Sequence, residues 1–133
     1  MAHYATMIGR DPDAMYRQID IVGRTGTADP HLLVQLMYEE LGRALRAIAA
    51  AIDSGHSEVK SQKSMRAIAI LFALEGGLDF DKGGEAAKTF ASLYRGARKS
   101  VIDATMSSNA NTFLDIANNI AQIAAVWKSL RPV

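Results

Sequence analysis

Apolar residues recur along this chain with the 3.6-residue period of a helix in several stretches, and no stretch alternates convincingly with the two-residue period of a strand. The longest pattern is bounded by Ala28-Asp29-Pro30 and Asp53-Ser54-Gly55. Asp29 suits an N-cap, whose carboxylate accepts the free amide hydrogens of a first turn, and Pro30 suits the first helical position, where no donor is needed. At 100° per residue, Gln35, Glu39, Arg43 and Arg46 form a narrow polar stripe, while Val34, Met37, Leu41, Leu45, Ile48 and Ile52 form a bulky apolar face. Between them runs a strip of mostly small apolar residues, Leu33, Leu36, Glu40, Ala44, Ala47 and Ala51. A helix apolar over most of its circumference belongs at the centre of a bundle. The strip is then either core or a groove for another chain's helix.

The other patterns are shorter. Asp11-Pro12 repeats the cap-and-proline start, and Met15, Ile19 and Val22, with Tyr16 alongside, predict a short amino-terminal helix to about Arg24. Residues 1–10 have no clear period and are expected to be mobile. Ser57 is the expected cap of the next helix, whose first two turns are polar and whose apolar face comes from Ile68, Leu71, Phe72 and Leu78. Asp79 to Gly84 reads as a turn. A further helix from about Glu85 places Ala86, Phe90, Leu93, Ala97, Val101 and Ala104 on one stripe. The last helix, capped by Ser107, Ser108 or Asn109, carries Phe113, Ile116, Ala117, Ile120, Ile123, Ala124, Trp127 and Leu130. Of these, Leu78, Phe90, Leu93, Ile116, Ile120, Ile123 and Trp127 are expected in the core. The short connections predict an all-α fold, an antiparallel up-down bundle of four long helices plus a short amino-terminal one, as a single domain over residues 1–133.

Composition removes several classes of function. A net charge of +1 leaves no electrostatic footprint for nucleic acid or an anionic membrane surface. With no cysteine there are no disulfides, thiol catalysis or cysteine-bound metal. The amino terminus lacks a signal-peptide apolar run, and Ala67 to Leu74, the longest apolar run, is too short to span a bilayer, so a cytoplasmic protein is expected. Candidate chemistry is sparse. His3, His31 and His56 lack ligand spacing and are expected to be solvated or capping residues. No glutamate is followed three residues on by histidine, as a di-iron bundle requires. Gly83-Gly84 lacks the further glycines and lysine of a phosphate loop. No catalytic, cofactor-binding or metal site is expected, and no enzyme.

Several segments resemble one family. Thr27-Ala28-Asp29-Pro30-His31-Leu32-Leu33 with Leu36-Met37-Tyr38-Glu39 is similar to the opening signature of the FliS-type flagellin export chaperones. Leu78-Asp79-Phe80-Asp81-Lys82-Gly83-Gly84-Glu85-Ala86-Ala87 with Leu93-Tyr94 resembles its Leu-Asp-x-x-x-Gly-Gly-Glu-Ile-Ala and Leu-Tyr pattern. Ala125-Val126-Trp127-Lys128 resembles its closing Asp-Ala-Trp-Lys. The likeness runs in order from Tyr16 to Leu130. It departs at Glu39-Glu40, where the family usually has Asp-Gly, and at Val126 with Ala125, where it has Asp-Ala.

The resemblance implies a cytoplasmic chaperone that binds the disordered carboxy-terminal region of flagellin, prevents premature polymerisation and aids delivery to the flagellar type III export apparatus. Export-gate components and flagellar regulators are further partners it implies. The client-binding residues expected on this basis are Tyr16, Ile19, Leu33, Leu36, Glu40, Ala44, Ala47 and Ala51, with the amino-terminal segment as a displaceable lid. The residues alone also admit a structural or regulatory bundle that assembles with copies of itself or a folded partner.

Overall fold

A computed structural model describes residues 29–130, which form four helices: α1 (Pro30–Ser54), α2 (Ser57–Gly76), α3 (Phe80–Ser107) and α4 (Ala110–Ser129). There is no strand among the described residues. The expected amino-terminal helix lies outside them.

Local chemistry sets the helix ends. Asp29 accepts hydrogen bonds from the His31 and Leu32 amides at 3.0 and 3.5 Å, and Pro30 opens α1. At the other end Gly55 is left-handed, with φ 75°, and its amide and that of His56 donate to the Ile52 and Ala51 carbonyls. This is the paired closure that left-handed glycine makes possible. At α2, Ser57 is the first helical residue rather than the cap; His56 holds the cap position with no side-chain capping bond. Asn109 is the cap of α4, accepting from the Asn111 amide at 3.0 Å.

The expected turn at Asp79–Gly84 is instead the beginning of α3. Asp79 accepts from the Lys82 amide at 3.0 Å and nucleates a first turn at Phe80. Gly84, at φ 54° and ψ −131°, then breaks the helix, which resumes at Glu85 as the pattern predicts. Such a backbone is open essentially to glycine alone.

The bulky face of α1 is the centre of the core, with Met37, Leu41, Leu45 and Ile48 fully buried. Helix α1 packs closely on both α2 and α4, and α2 packs on α3, whereas α3 and α4 pack against each other least closely of these neighbours. Links between α2 and α3 run in opposite chain order. Lys60, early in α2, donates to the Thr105 carbonyl at 2.9 Å, while Glu75, late in α2, pairs with Arg95 and Arg98 at 2.6 and 2.7 Å. Phe72 does not join the core face. It is 61% exposed, with the Arg98 guanidinium 5.3 Å above its ring.

Candidate functional site

The loose seam between α3 and α4 holds two adjoining cavities of about 330 and 340 Å³. The first is walled by Phe90 and Leu93 of α3 and by Ile123, Val126, Trp127 and Leu130 around α4; the second runs on past Gly96 and Ala97 to Ile116 and Ile120. Leu93, Asn119 and Ile123 line both. Among the described residues the polar groups on these walls are neutral: Ser92, Ser100, Asn119, Gln122 and the buried Tyr94. An apolar groove with a few uncharged polar groups can take up an amphipathic helix.

The buried line of α3 explains why the groove is open. The stripe predicted through Phe90 and Leu93 is rotated by one residue in the first half of the helix, where Ala87, Ala91 and Tyr94 are buried instead. Small residues at 87 and 91 admit close helix approach. The Tyr94 hydroxyl meets that of Tyr38 at 2.5 Å, satisfying two buried polar groups at once. Phe90 is therefore only partly buried and Leu93 is 45% exposed, which corrects the expectation that both are core. Ile123 and Leu78 are likewise partly buried, whereas Ile116, Ile120 and Trp127 are core as expected.

The floor near Trp127 is an aromatic cluster joining α1, α3 and α4. Trp127 stacks on His31 with ring centroids 4.5 Å apart and 12° between planes, and meets Tyr38 edge-on at 6.3 Å. Its indole N–H donates to the His31 carbonyl oxygen at 2.8 Å. His31 is thus buried, neither solvated nor capping as expected of it, and its Nε2 has no hydrogen-bond partner among the described residues. Burial pushes the Tyr38 hydroxyl well above its ordinary range, against the smaller opposing effect of the Tyr94 hydrogen bond, so Tyr38 stays neutral.

The residues proposed from the small-residue strip fall elsewhere. Leu33, Ala44 and Ala51 are buried, which corrects the picture of an open groove along this strip: its small side chains serve close packing within the protein. Leu36 and Ala47 are partly buried. Glu40 turns to basic groups of its own chain, Arg43 at 2.8 Å and Arg66 of α2 at 3.5 Å, so α2 lies beside the strip. Tyr16 and Ile19 lie outside the described residues. Among the described residues no cluster of His, Asp and Glu could hold a metal ion, and no helix is long and apolar enough to cross a membrane.

Comparison with known proteins gives this bundle a context, because the family described as Flagellar protein FliS matches residues 13–133. The chain belongs to the FliS family. Its relatives include the flagellar secretion chaperone FliS of Salmonella typhimurium, 26% identical over 118 residues that cover 88% of this chain and 87% of that protein. The flagellar secretion chaperone FliS of Vibrio cholerae is 24% identical, covering 88% of this chain and 86% of its own. The flagellar secretion chaperone FliSB of Pseudomonas aeruginosa is 24% identical, with coverages of 86% and 91%. At such identity the FliS likeness assigns a family, and the α3–α4 groove is a feature of this chain's own walls.

Proposed function

We propose that this FliS-family chain is a chaperone in flagellar export that holds the carboxy-terminal region of flagellin in the groove between α3 and α4. In this reading it acts in the cytoplasm as one domain over residues 1–133, on an antiparallel up-down bundle, and prevents premature polymerisation without catalysing a reaction. The observation that carries the reading is the groove itself. Its walls include Leu93 and Val126, 45% and 57% exposed, on a protein whose relatives are named secretion chaperones. Disordered segments that fold on binding can be held reversibly in such a site, because their ordering costs about 2–5 kcal/mol of the gross contact energy. Leu36, Glu40 and Ala47, still partly accessible, are a second proposed contact together with Tyr16 and Ile19. Export-gate components and flagellar regulators are proposed further partners, with no residues assigned to them.

The test is size-exclusion chromatography of the full chain mixed with flagellin that retains or lacks its carboxy-terminal segment. Co-elution only when that segment is present is the expected result. Leu93→Asp and Val126→Asp should abolish it, while Met65→Asp, at a position 72% exposed on α2, should not. Co-elution that ignores the terminal segment, or that survives both groove substitutions, refutes the reading.

A further inference from the structure

The two cavities form one continuous trough with a waist, where Leu93, Asn119 and Ile123 contribute to both. On α4 the lining moves from Ile116 and Ile120 toward Val126 and Trp127, and on α3 from Ala97 toward Phe90. Averaged over the lining residues, the cavity centres lie roughly 6 to 8 Å apart, taking a helical rise of about 1.5 Å per residue. One turn of a helix lying along the trough covers about that distance, so side chains at i and i+4 would reach the two cavities together. Asn119 is exposed at the waist, with a carboxamide that can both donate and accept.

Charge gives a second, independent constraint. Among the described residues neither cavity has a charged lining residue, whereas the cavity between α1 and α4, of about 260 Å³, is lined by Glu39, Arg46 and Lys128. A charged residue facing the α3–α4 trough would lose hydration without gaining an opposite charge. A polar uncharged residue facing Asn119 would lose water and regain a hydrogen bond.

We infer that the α3–α4 trough recognises an uncharged amphipathic helix carrying two apolar anchors one turn apart, with a hydrogen-bonding side chain between them set against Asn119. This rests on the trough being the client site, and it adds the chemistry and register by which a client is selected. Recognition is by shape and neutral hydrogen bonding, with ionic attraction playing no part.

Trp127, the only tryptophan of the chain, lines one cavity and supplies the signal. The full chain is titrated with helical alanine/glutamine peptides bearing leucines at i and i+4, or at i and i+7, and with i, i+4 peptides whose residues i+1 and i+3, flanking the anchor line toward the two walls, are glutamine, alanine or glutamate. The i, i+4 peptide should bind at least tenfold more tightly than the i, i+7 peptide, and its affinity should change less than twofold between 50 and 500 mM salt. Glutamine at the waist should exceed alanine by about three- to tenfold, the ordinary worth of one hydrogen bond, and Asn119→Leu should erase that preference. The position is exposed, so a merely structural effect of the substitution would weaken all peptides alike. No binding by any peptide, a preference for the longer spacing, tighter binding of glutamate, or an undiminished glutamine preference in Asn119→Leu overturns the inference. If the peptide pattern holds but flagellin does not co-elute, the trough chemistry stands and the flagellin assignment fails. If flagellin co-elutes and Leu93→Asp abolishes it while the peptides show no spacing preference, the reverse is true.

Discussion

Leu93 and Ile120 both line the groove, but Ile120 is buried while Leu93 is half exposed, and truncating each to alanine should show the difference. Ile120 is 3% exposed and packed in the core cluster, so Ile120→Ala removes buried methylenes and leaves a cavity, costing about 2–5 kcal/mol. Leu93 is 45% exposed, and fully burying a leucine is worth about 1.5–3 kcal/mol, so its truncation forfeits roughly 1 kcal/mol. In a domain of this size that is a melting shift of roughly 3–6 °C, against more than twice that for Ile120→Ala. On the proposed function the ranking should invert for flagellin binding. Leu93 walls both cavities, and an apolar anchor at the centre of an interface commonly carries more than 1.4 kcal/mol, or a tenfold loss of affinity. Calorimetric melting and titration of flagellin into both variants give the two numbers. If Leu93→Ala melts as low as Ile120→Ala and its folded fraction binds normally, α4 closes over Leu93 in solution and the groove reasoning is wrong.

Burial tends to raise the Glu75 carboxyl, but hydrogen bonds and charges from Arg95 and Arg98 outweigh it and hold it below the ordinary 4.5. Its contribution is therefore fully present above about pH 4.5 and lost as pH falls through the lowered value; the urea-midpoint gap between wild type and Glu75→Gln should shrink from pH 7 to pH 3. Gly84→Ala should cost about 1–3 kcal/mol in urea unfolding through its φ of 54°, since among the described residues nothing beyond the adjoining backbone lies within 4 Å of the added methyl group. Ala44→Gln, at a position 2% exposed, should destabilise by about 1–3 kcal/mol through overpacking, and Ala47→Gln by less; equal melting temperatures for the two would mean the strip is open.

The parts of the fold that were legible are those decided within one or two turns. Asp29-Pro30, Gly55 and Asn109 act where their chemistry places them, because capping depends on neighbours in sequence. The groove was hidden because it depends on which of two adjacent helical lines faces inward. In α3, Ala86, Phe90 and Leu93 make a more hydrophobic line than Ala87, Ala91 and Tyr94, yet the second is buried. The alanines allow close approach and the Tyr94 hydroxyl finds Tyr38 on a different helix, a contact 56 residues away that periodicity cannot see. The small residues at i and i+4 followed by a tyrosine at i+7 were the available signal. Glu40 shows the same limit: its strip looked open to a client because the partner that answers its charge, Arg66, is on α2.

Trp127 connects the stability of the bundle to its readiness to bind. One face stacks on His31, the indole N–H is tied to the His31 carbonyl, and the residue is 3% exposed, yet it still forms part of the groove wall. Packing and a hydrogen bond therefore fix this wall before any client arrives, so the ordering cost of binding falls mainly on the client. The rims are different. Leu93 and Val126 are about half exposed, so each keeps apolar surface in water that a client can cover. If the groove is the client site, this combination of a rigid floor and half-exposed rims lets a client gain apolar burial without reordering the wall around Trp127.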